Sequence, residues 1–410
     1  MLALHRPPDP ELTPAQVDRN LRYLVGDIAW HGVLYGTMMA FLQVYIVRLG
    51  ASSLLVGAIT YGPALVAMLW LIPAGRLVTR IGHRMRWVIA TGLLFRLVLL
   101  AIPLVPFFTT VHRAELTALI WVLSAVPANL SNLAFTSMMA DAVPEDRRQQ
   151  MVGLRIAAFG LVNTITTLLA GPLLQSMSFP INYQVLFLVG FAGTMVSWWQ
   201  VTKIHVPDPP ARAGKQPPLT LELGEMARYP GFLRFVAGVT VLQLALGMIA
   251  PLLPIYWVRT LNIADGPVSV IMSVTTGTMV IGSLAMRNLV RHIGRERALA
   301  IGGFGYALYP LLTSFTSQVG WLIAWAALAG LFNAAITVNL FDNLASVTPD
   351  ANRTNYVAIY TAVVNVALFA GPVIAGVVAD APAAGPALGL RVAAGVGTAA
   401  GVLLVMRRRA

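Results

Sequence analysis

Gly75-Arg-Leu-Val-Thr-Arg-Ile-Gly-His-Arg-Met-Arg86 is a short basic turn between two long apolar stretches of the chain. The turn recurs about 212 residues later, where Leu77-Val-Thr-Arg-Ile-Gly-His-Arg84 aligns with Leu289-Val-Arg-His-Ile-Gly-Arg-Glu296. Two further matches follow in the same order at offsets of about 200 residues, pairing Asn132 and Asp141 with Asn333 and Asp342, and Gly171-Pro172 with Gly371-Pro372. These matches predict that the chain is an internal duplication.

The composition is that of a membrane protein. Hydrophobic residues make up 57% and charged residues 11% of the chain, and the mean hydropathy is +0.74, whereas a soluble domain carries about 25% charged residues. The chain has no cysteine, which excludes disulfides, thiolate metal sites and cysteine nucleophiles. Of the 28 Lys and Arg residues only Lys203 and Lys215 are lysines, a bias that indicates a GC-rich, bacterial genome.

A helix needs about 20 apolar residues to cross a bilayer, and this length predicts twelve spans. We place them at about 21–47, 53–74, 87–108, 116–140, 151–177, 183–202, 230–258, 267–286, 298–316, 321–341, 354–379 and 387–406. The predicted organisation is an N-terminal segment at 1–21, six spans within 22–202, a proline-rich linker at 203–229 and six spans within 230–410. Thr13-Pro14 resembles a helix N-cap followed by proline at the first helical position, and Leu219–Arg228 has the composition of a short surface helix.

The distribution of basic residues predicts the orientation, because cytoplasmic loops carry an excess of Lys and Arg. An even number of spans puts both termini on one side, and 21 basic residues fall in the loops and tails of that side. Arg48, Arg113 and Arg259 fall on the opposite side. We therefore expect a multi-pass protein of the cytoplasmic (inner) membrane with both termini in the cytoplasm. The net charge of +12 is then an orientation signal and does not indicate nucleic-acid binding.

The basic turn and the six-plus-six arrangement resemble the major facilitator superfamily along the whole chain. The family pattern is Gly-x-Leu-x-Asp-Arg-x-Gly-Arg-Arg, which is matched by Gly75, Leu77, Arg80, Gly82 and Arg84, with Thr79 in place of the Asp and His83 in place of an Arg. The resemblance implies an all-α membrane protein of two pseudo-symmetric six-helix bundles around a central cavity lined by helices 1, 4, 7 and 10. It also implies alternating access, in which one half rocks against the other around a midplane site.

The resemblance also assigns gating roles at the cytoplasmic ends of the helices. Gly75, Arg80, Gly82 and Arg84 belong to the basic turn. Asp141 and Asp342 end helices 4 and 10, where we expect them to hold basic loop residues. The two Gly-Pro pairs partly match a motif of family members that are exchangers, so the resemblance favours an antiporter.

Asp27 is the one acidic residue inside an apolar span. An ionisable group there is costly and is a functional hypothesis by default, so we predict that Asp27 carries a coupling proton. His31 lies four residues later on the same helical face, and Tyr35 continues that face. The alternative is that Asp27 is hydrated or pairs with a loop arginine.

Arg96 is the one cation in the middle of a span. A guanidinium group binds a carboxylate or phosphate through two hydrogen bonds, which makes Arg96 a candidate anion site. It can equally pair with Asp27 or cap helix carbonyls. Neutral amides in the spans are candidate substrate ligands together with Tyr35, although they can instead bond neighbouring helices. These amides are Asn129, Asn132, Asn163, Gln243, Asn333 and Asn339.

Together these features predict a secondary active transporter that moves a small organic solute across the lipid bilayer and is coupled to protons. Export of amphipathic compounds is favoured over uptake, because the visible polar groups are mostly amides. Two alternatives stay open: an organic-anion importer that uses Arg96, and a non-transporting assembly or pigment-delivery factor. We expect a monomer with no cofactor and no metal. An enzyme is not expected, because the sequence contains no Gly-x-x-x-x-Gly-Lys loop, zinc-protease helix or hydrolase elbow.

Overall fold

The computed structural model describes residues 12–80, 84–206, 229–348, 353–381 and 385–406, and within them the chain forms twelve long helices and no strand. The first helix, α1, runs through Pro14–Leu34, a π-helical turn at Tyr35–Met39, and Ala40–Arg48. It is followed by α2 (Ser53–Arg80), α3 (Arg84–Phe108), α4 (Arg113–Ala142), α5 (Glu145–Ser176) and α6 (Ile181–Val201). The second half comprises α7 (Pro230–Ile255, continued by a π-helical turn at Tyr256–Thr260), α8 (Asp265–Ile293), α9 (Arg295–Ser314), α10 (Val319–Val347), α11 (Arg353–Asp380) and α12 (Gly385–Met406).

The twelve helices lie at the positions of the predicted spans, and five of them are longer than predicted by nearly two turns. The start of α1, the end of α2, the start of α5, the end of α8 and the end of α10 all extend beyond the apolar stretch. Each extension lies at the end of the molecule that bears the termini. Hydrophobic length marks only the part of a helix that lies in the bilayer, so it underestimates helices that continue into polar surroundings.

The start of α1 shows what supports such an extension. Thr13 is the N-cap: its side chain accepts a hydrogen bond from the Gln16 amide, and the Gln16 side chain accepts one from the Thr13 amide. This reciprocal capping box satisfies two amides that the helix leaves without partners. The predicted cap at Thr13-Pro14 is therefore confirmed.

The basic turn is shorter than the sequence predicted. Gly75–Arg80 continues α2, residues 81–83 lie outside the described residues, and α3 begins at Arg84. In the second half, α8 continues to Ile293 and the chain turns at Gly294 with φ of 82°. Glycine adopts this left-handed conformation without a steric penalty, which is why it often ends a helix. The surface helix expected at 219–228 also lies outside the described residues.

The helices form two halves with the same packing pattern. In the first half, α1 packs against α5 and α6, α4 packs against α2 and α3, and α3 packs against α6. In the second half, α7 packs against α11 and α12, α10 packs against α8 and α9, and α9 packs against α12. The halves meet where α2 packs against α11 and α5 packs against α8. Each contact within a half has its counterpart six helices later, which confirms the two pseudo-symmetric bundles.

Length and composition alone make ten of these helices suitable to cross a membrane. The two that fall short are α1 and α9. Helix α1 nevertheless packs closely on its neighbours through small residues. A Cβ atom at Gly36 would lie 2.7 Å from the backbone oxygen of Asn163 in α5, so only glycine allows the two backbones to approach this closely. This approach brings the side chains of α1 and α5 within bonding distance.

A cluster of polar contacts, here called the inter-half latch, joins the two halves at the end opposite the termini. Arg48 at the end of α1 donates to the Ile263 carbonyl (2.8 Å) and to Asp265 (2.6 Å), which also accepts from the Tyr183 hydroxyl (2.8 Å). In the reverse direction, Arg259 after α7 donates to the Ala51 carbonyl and to the Ser53 hydroxyl (3.0 Å). Asp380 at the end of α11 accepts from the Ser53 amide (3.0 Å). The latch thus comprises Arg48, Ala51, Ser53, Tyr183, Arg259, Ile263, Asp265 and Asp380.

Candidate functional site

A cavity of about 350 Å³ lies inside the first half, within the size range of small-molecule sites. Because α1 packs on α5 and α6 while α4 packs on α2 and α3, a gap is left between α1 and α4, and side chains of α3, α5 and α6 close it. The polar lining residues are Asp27, His31, Tyr35, Arg96, Asn129, Ser131, Asn132 and Arg155. The apolar lining residues are Ile28, Met39, Val88, Phe95, Ala128, Phe135, Trp198 and Val201.

The position of this cavity differs from the expectation of a space shared by helices 1, 4, 7 and 10. Helices α1 and α4 line it as expected, but none of its described lining residues comes from α7 or α10. The side chains of α3, α5 and α6 reach it because α1 and α4 do not pack against one another closely. The site therefore belongs to one repeat.

Asp27 lies at the centre of a polar network on the wall of this cavity and is only 6% exposed. Its Oδ2 atom is 3.4 Å from Nη1 of Arg155 on α5. Its Oδ1 atom accepts a hydrogen bond of 2.7 Å from the hydroxyl of Ser197 on α6. Both carboxylate oxygens thus have a partner from another helix, as a buried charge requires. Arg155 also donates to the carbonyl of Leu24, one turn before Asp27.

Arg96 reaches the same network from α3 without touching Asp27 directly. Its Nη2 atom donates to the Ser197 hydroxyl at 3.0 Å, and that hydroxyl donates to Asp27. Its Nε atom donates to the Thr194 carbonyl at 2.6 Å, and its Nη1 atom donates to the Gly92 carbonyl at 2.8 Å. Arg96 is 7% exposed. It therefore caps helix carbonyls and connects to Asp27 through Ser197, as one of the alternatives from the sequence had it.

His31 and Tyr35 continue the Asp27 face of α1 into the cavity, as the spacing predicts. The centroids of the two rings lie 5.4 Å apart. The Tyr35 ring packs edge to face on the Phe159 ring of α5, with 5.1 Å between the centroids. Tyr35 is 42% exposed and lines the cavity. The π-helical turn begins at Tyr35, and such turns often occur at functional sites because they change the direction in which side chains project.

The predicted amides divide into two groups. Asn129 and Asn132 line the cavity, with the Asn129 side chain donating to the Ala125 carbonyl of its own helix at 2.8 Å. The others are not among the described lining residues. Asn163 and Asn333 accept from a threonine one turn later in their own helices, Asn339 donates to the Ala335 carbonyl, and Gln243 is half-buried in α7. Asn132 and Asn333 therefore differ in environment despite their equivalent positions in the repeats.

None of the predicted gating residues is among the described lining residues of this cavity. Gly75 and Arg80 belong to the last turns of α2, Arg84 begins α3, and Gly82 lies outside the described residues. Asp141 and Asp342 are exposed near the ends of α4 and α10, which is the position that the sequence predicted for them.

Arg155 and Ser197 are the site residues that the sequence analysis missed. Arg155 lies only a few residues inside the predicted start of its span, so it had the pattern of a boundary arginine. Ser197 is a small polar residue of a kind that is common in membrane helices. The available signal was the scarcity of charge: a buried Asp27 requires a cationic partner, and Arg155 was one of the few arginines that the topology did not assign to a loop.

Comparisons with known proteins agree with this architecture. A family model described as Major Facilitator Superfamily matches residues 31–246 and 235–410. An uncharacterized MFS-type transporter of Methanocaldococcus jannaschii is 24% identical over 148 residues, which cover 36% of this chain and 38% of that relative. The nucleoside transporter NupG superimposes with a TM-score of 0.72 at 14% identity, covering 95% of this chain and 99% of that chain.

Two further solved structures have the same fold. A bacterial homolog of the human lysosomal transporter Spinster superimposes with a TM-score of 0.68 at 14% identity, covering 97% of this chain and 96% of that one. A POT family transporter in complex with a thioalcohol-conjugated peptide superimposes with a TM-score of 0.74 at 11% identity, covering 95% and 96%. At these identities the likeness concerns the fold and says nothing about the solute.

Proposed function

The chain belongs to the major facilitator superfamily and is a multi-pass secondary transporter, and from this premise we propose that it couples the movement of a small organic solute to protons held at Asp27. The observation that carries the proposal is the environment of Asp27. This buried carboxylate has Arg155 and Ser197 as partners, and it lies on the wall of a cavity large enough for a solute. An ionisable residue so placed in a membrane helix is a candidate proton carrier.

Proton coupling requires that the charge of Asp27 respond to the solute. The groups that face Asp27 are Arg155 from α5, Arg96 from α3 through Ser197, and His31 one turn away on α1. A solute that enters the cavity changes the contacts of these groups. Because Asp27 is only 6% exposed, such a change alters the electrostatic energy of the carboxylate far more than it would at a surface. We propose that His31, one turn from Asp27 on the same cavity wall, passes a proton between Asp27 and the solute.

The test is accumulation of a solute by proteoliposomes under a pH gradient. Asp27→Asn keeps the size of the side chain and mimics its protonated form, so the variant should lose gradient-driven accumulation while solute–solute exchange survives. Asp18→Asn is the matched control, because Asp18 lies on the same helix but pairs with the exposed Arg147 at 2.6 Å. If the Asp27 variant still concentrates the solute as the parent does, the carboxylate is only structural.

The same vesicles test two other expectations from the sequence. Export of amphipathic compounds stays a prediction, and it requires that a solute loaded on the cytoplasmic side leave against its gradient in oriented vesicles. A non-transporting assembly factor would give no flux under any gradient. Both termini in the cytoplasm and a location in the inner membrane are part of the proposal.

A further inference from the structure

The charges that line the cavity do not cancel. Among the described lining residues two are arginines and one is a carboxylate, Asp27. Arginine stays protonated at all accessible pH values, so the ionised site has an excess of one positive charge. A buried charge without a counter-ion is costly in a low-dielectric surrounding. A solute group with one negative charge therefore balances the net charge of the ionised site.

Every nitrogen of the Arg96 guanidinium group already donates a hydrogen bond to the protein. Its Nε, Nη1 and Nη2 atoms each donate to a protein oxygen, two of them backbone carbonyls. These contacts join α3 to α6, so Arg96 has a structural role. Its charge contributes to the excess, but its hydrogen bonds go to the protein.

Arg155 differs, because within the described part of the chain only one of its nitrogens is engaged. Nη1 donates to the Leu24 carbonyl and to Asp27, whereas the Nε and Nη2 groups have no hydrogen-bond partner among the described residues. These two groups share one edge of the guanidinium plane, and that edge matches the two oxygens of a carboxylate. The guanidinium carbon also lies 5.2 Å from the centroid of the Phe135 ring, which fixes the plane by a cation–π contact.

The remainder of the cavity favours an apolar body beside the anionic group. Phe95, Phe135 and Trp198 contribute aromatic wall, and the Asn132 amide and the Tyr35 hydroxyl supply polar contacts. A volume of about 350 Å³ lies near the lower end of the range for ligand sites, which favours a small solute.

We infer that the cavity binds a small aromatic or alicyclic monocarboxylate, held by the Nε–Nη2 edge of Arg155 beside the Phe135 ring. With Asp27 ionised, a monoanion balances the excess charge, whereas a dianion such as a phosphate monoester would leave the site negative. The inference rests on the proposed function in taking the cavity as the solute site. It replaces Arg96 with Arg155 as the anion-binding residue.

The same geometry links the solute to the proton. Arg155 pairs with Asp27 through Nη1. An anion bound at the Nε–Nη2 edge of the same guanidinium group therefore competes with Asp27 for the positive charge of Arg155. Protonation of Asp27 removes this competition, and the anion and the proton then favour each other's binding. Such a site moves both in the same direction, so an acidic exterior drives uptake. This consequence opposes the export expected from the sequence, and the direction of flux decides between them.

The test is direct binding to the purified full-length protein in lipid nanodiscs, measured by calorimetry at several pH values. The probes are benzoate, its neutral isostere benzamide, and phenyl phosphate. We expect saturable binding of benzoate that is tighter at lower pH, and binding of benzamide and phenyl phosphate weaker by about tenfold or more. The inference is overturned if benzoate does not bind, if benzamide binds equally well, or if phenyl phosphate is preferred at the highest pH, where it is a dianion.

Variants then test whether Arg155 is the residue that binds the anion. Arg155→Lys keeps the charge but loses the bidentate edge, so it should weaken benzoate binding by about tenfold. Arg147→Lys, on the same helix but outside the cavity, should bind as the parent does. Asp27→Asn should bind benzoate more tightly, because Arg155 loses its competitor. Unchanged affinity in Arg155→Lys overturns the assignment. If that variant does not fold, unchanged or weaker binding by Asp27→Asn overturns it instead.

Failure of this inference is distinguishable from failure of the proposed function. Binding of benzoate without flux in proteoliposomes would leave the monocarboxylate site in place and would remove the transport proposal for it. Proton-driven flux of some other solute, with no binding of benzoate, would keep the proposed function and overturn the inference.

Discussion

At the scale of single residues, Asp27 connects α1 to three other helices through two distinct contacts. The contact with Arg155 is a direct ion pair, whereas the contact with Arg96 passes through the hydroxyl of Ser197. The two arginines therefore depend on Asp27 in different ways, and this difference is measurable.

We predict that Arg155→Gln lowers the free energy of unfolding by about 3 kcal/mol, because it leaves a buried carboxylate without its ion-pair partner. Adding Asp27→Asn should recover part of this loss, since the pair of side chains is then neutral. Unfolding in SDS gives both values, and a double-mutant cycle isolates the coupling. Strictly additive losses would show that the two side chains do not interact.

We predict that the coupling between Arg96 and Asp27 depends on Ser197. In the parent background a cycle of Arg96→Met and Asp27→Asn should show a coupling of about 1 kcal/mol, the size of a mediated hydrogen bond. In a Ser197→Ala background the coupling should fall towards zero. A coupling that is unaffected by Ser197→Ala would mean that the arginine acts on Asp27 through its charge alone.

The sequence was sufficient to single out Asp27 because an acid inside an apolar span is rare and costly. It could not distinguish Arg155 from Arg96 or from a loop arginine as the partner of Asp27. That pairing depends on how closely α1 approaches α5, which is set by Gly36 against the Asn163 backbone. Contacts between residues more than 100 positions apart have no local signature in the chain.

At the scale of helices, the α2–α11 contact between the halves is formed by backbone against backbone. A Cβ atom at Gly376 of α11 would lie 2.8 Å from the Cα atom of Leu54 in α2, and one at Gly57 of α2 would lie 2.9 Å from the Pro372 carbonyl oxygen. These distances are shorter than normal contacts, and backbone atoms cannot rotate out of the way. The contact therefore admits only glycine.

We predict that Gly376→Ala lowers the free energy of unfolding by about 1–3 kcal/mol, the usual cost of overpacking. Gly395→Ala in α12 is the matched control, because a Cβ atom there would meet nothing within 4 Å. That control should gain about 0.5–1 kcal/mol, since alanine is the better helix former. Equal effects of the two substitutions would mean that the interface adjusts freely.

Helix positions were predictable because a membrane span needs a long apolar stretch. The ends of α1, α2, α5, α8 and α10 were not, since these helices extend into polar sequence at one face of the molecule. The Thr13 cap was an exception, because a capping box is formed by residues that lie close together in the sequence.

At the scale of the whole molecule, the orientation is testable because the chain has no cysteine. We predict that His292→Cys reacts with an impermeant maleimide only from the cytoplasmic side, and that His112→Cys reacts only from the outside. His112 precedes α4 and His292 lies in the last turn of α8, so the two sites report opposite faces. The reverse pattern would invert the proposed topology.

We predict that the inter-half latch holds the end opposite the termini closed, which is the end that the proposed topology puts outside. Ser269 near the start of α8 is 1% exposed, so Ser269→Cys should react slowly with an external maleimide. Combining it with Arg48→Gln or Arg259→Gln should speed labelling by about tenfold, the effect of losing ~1.4 kcal/mol from the closed state. Arg113→Gln is the control, since Arg113 donates to the nearby Thr109 carbonyl. Equal rates in all variants would show that other contacts close this end.

The duplication predicted two matching bundles, because repeated sequence folds into repeated structure. It did not predict how the bundles touch. In the latch, for example, Asp265 of the second repeat forms an ion pair with Arg48. The equivalent residue of the first repeat is Ser53, which accepts from Arg259 through its hydroxyl. The carboxylate that pairs with Arg259 belongs to Asp380 instead. Substitutions that arose after the duplication are specific to each half and break the symmetry.

The latch also contains contacts that are repeated in the two halves of the chain. Arg259 follows Arg48, and Ile263 follows Ala51, by about 212 residues, the offset of the repeated basic turn. Each half therefore carries both an arginine and the backbone carbonyl that receives the other half's arginine. An interface in which two like surfaces exchange the same contact is isologous, as in a two-fold symmetric homodimer. In these two arginine–carbonyl contacts, the end of the polypeptide opposite its termini retains the contact geometry of a two-fold symmetric homodimer.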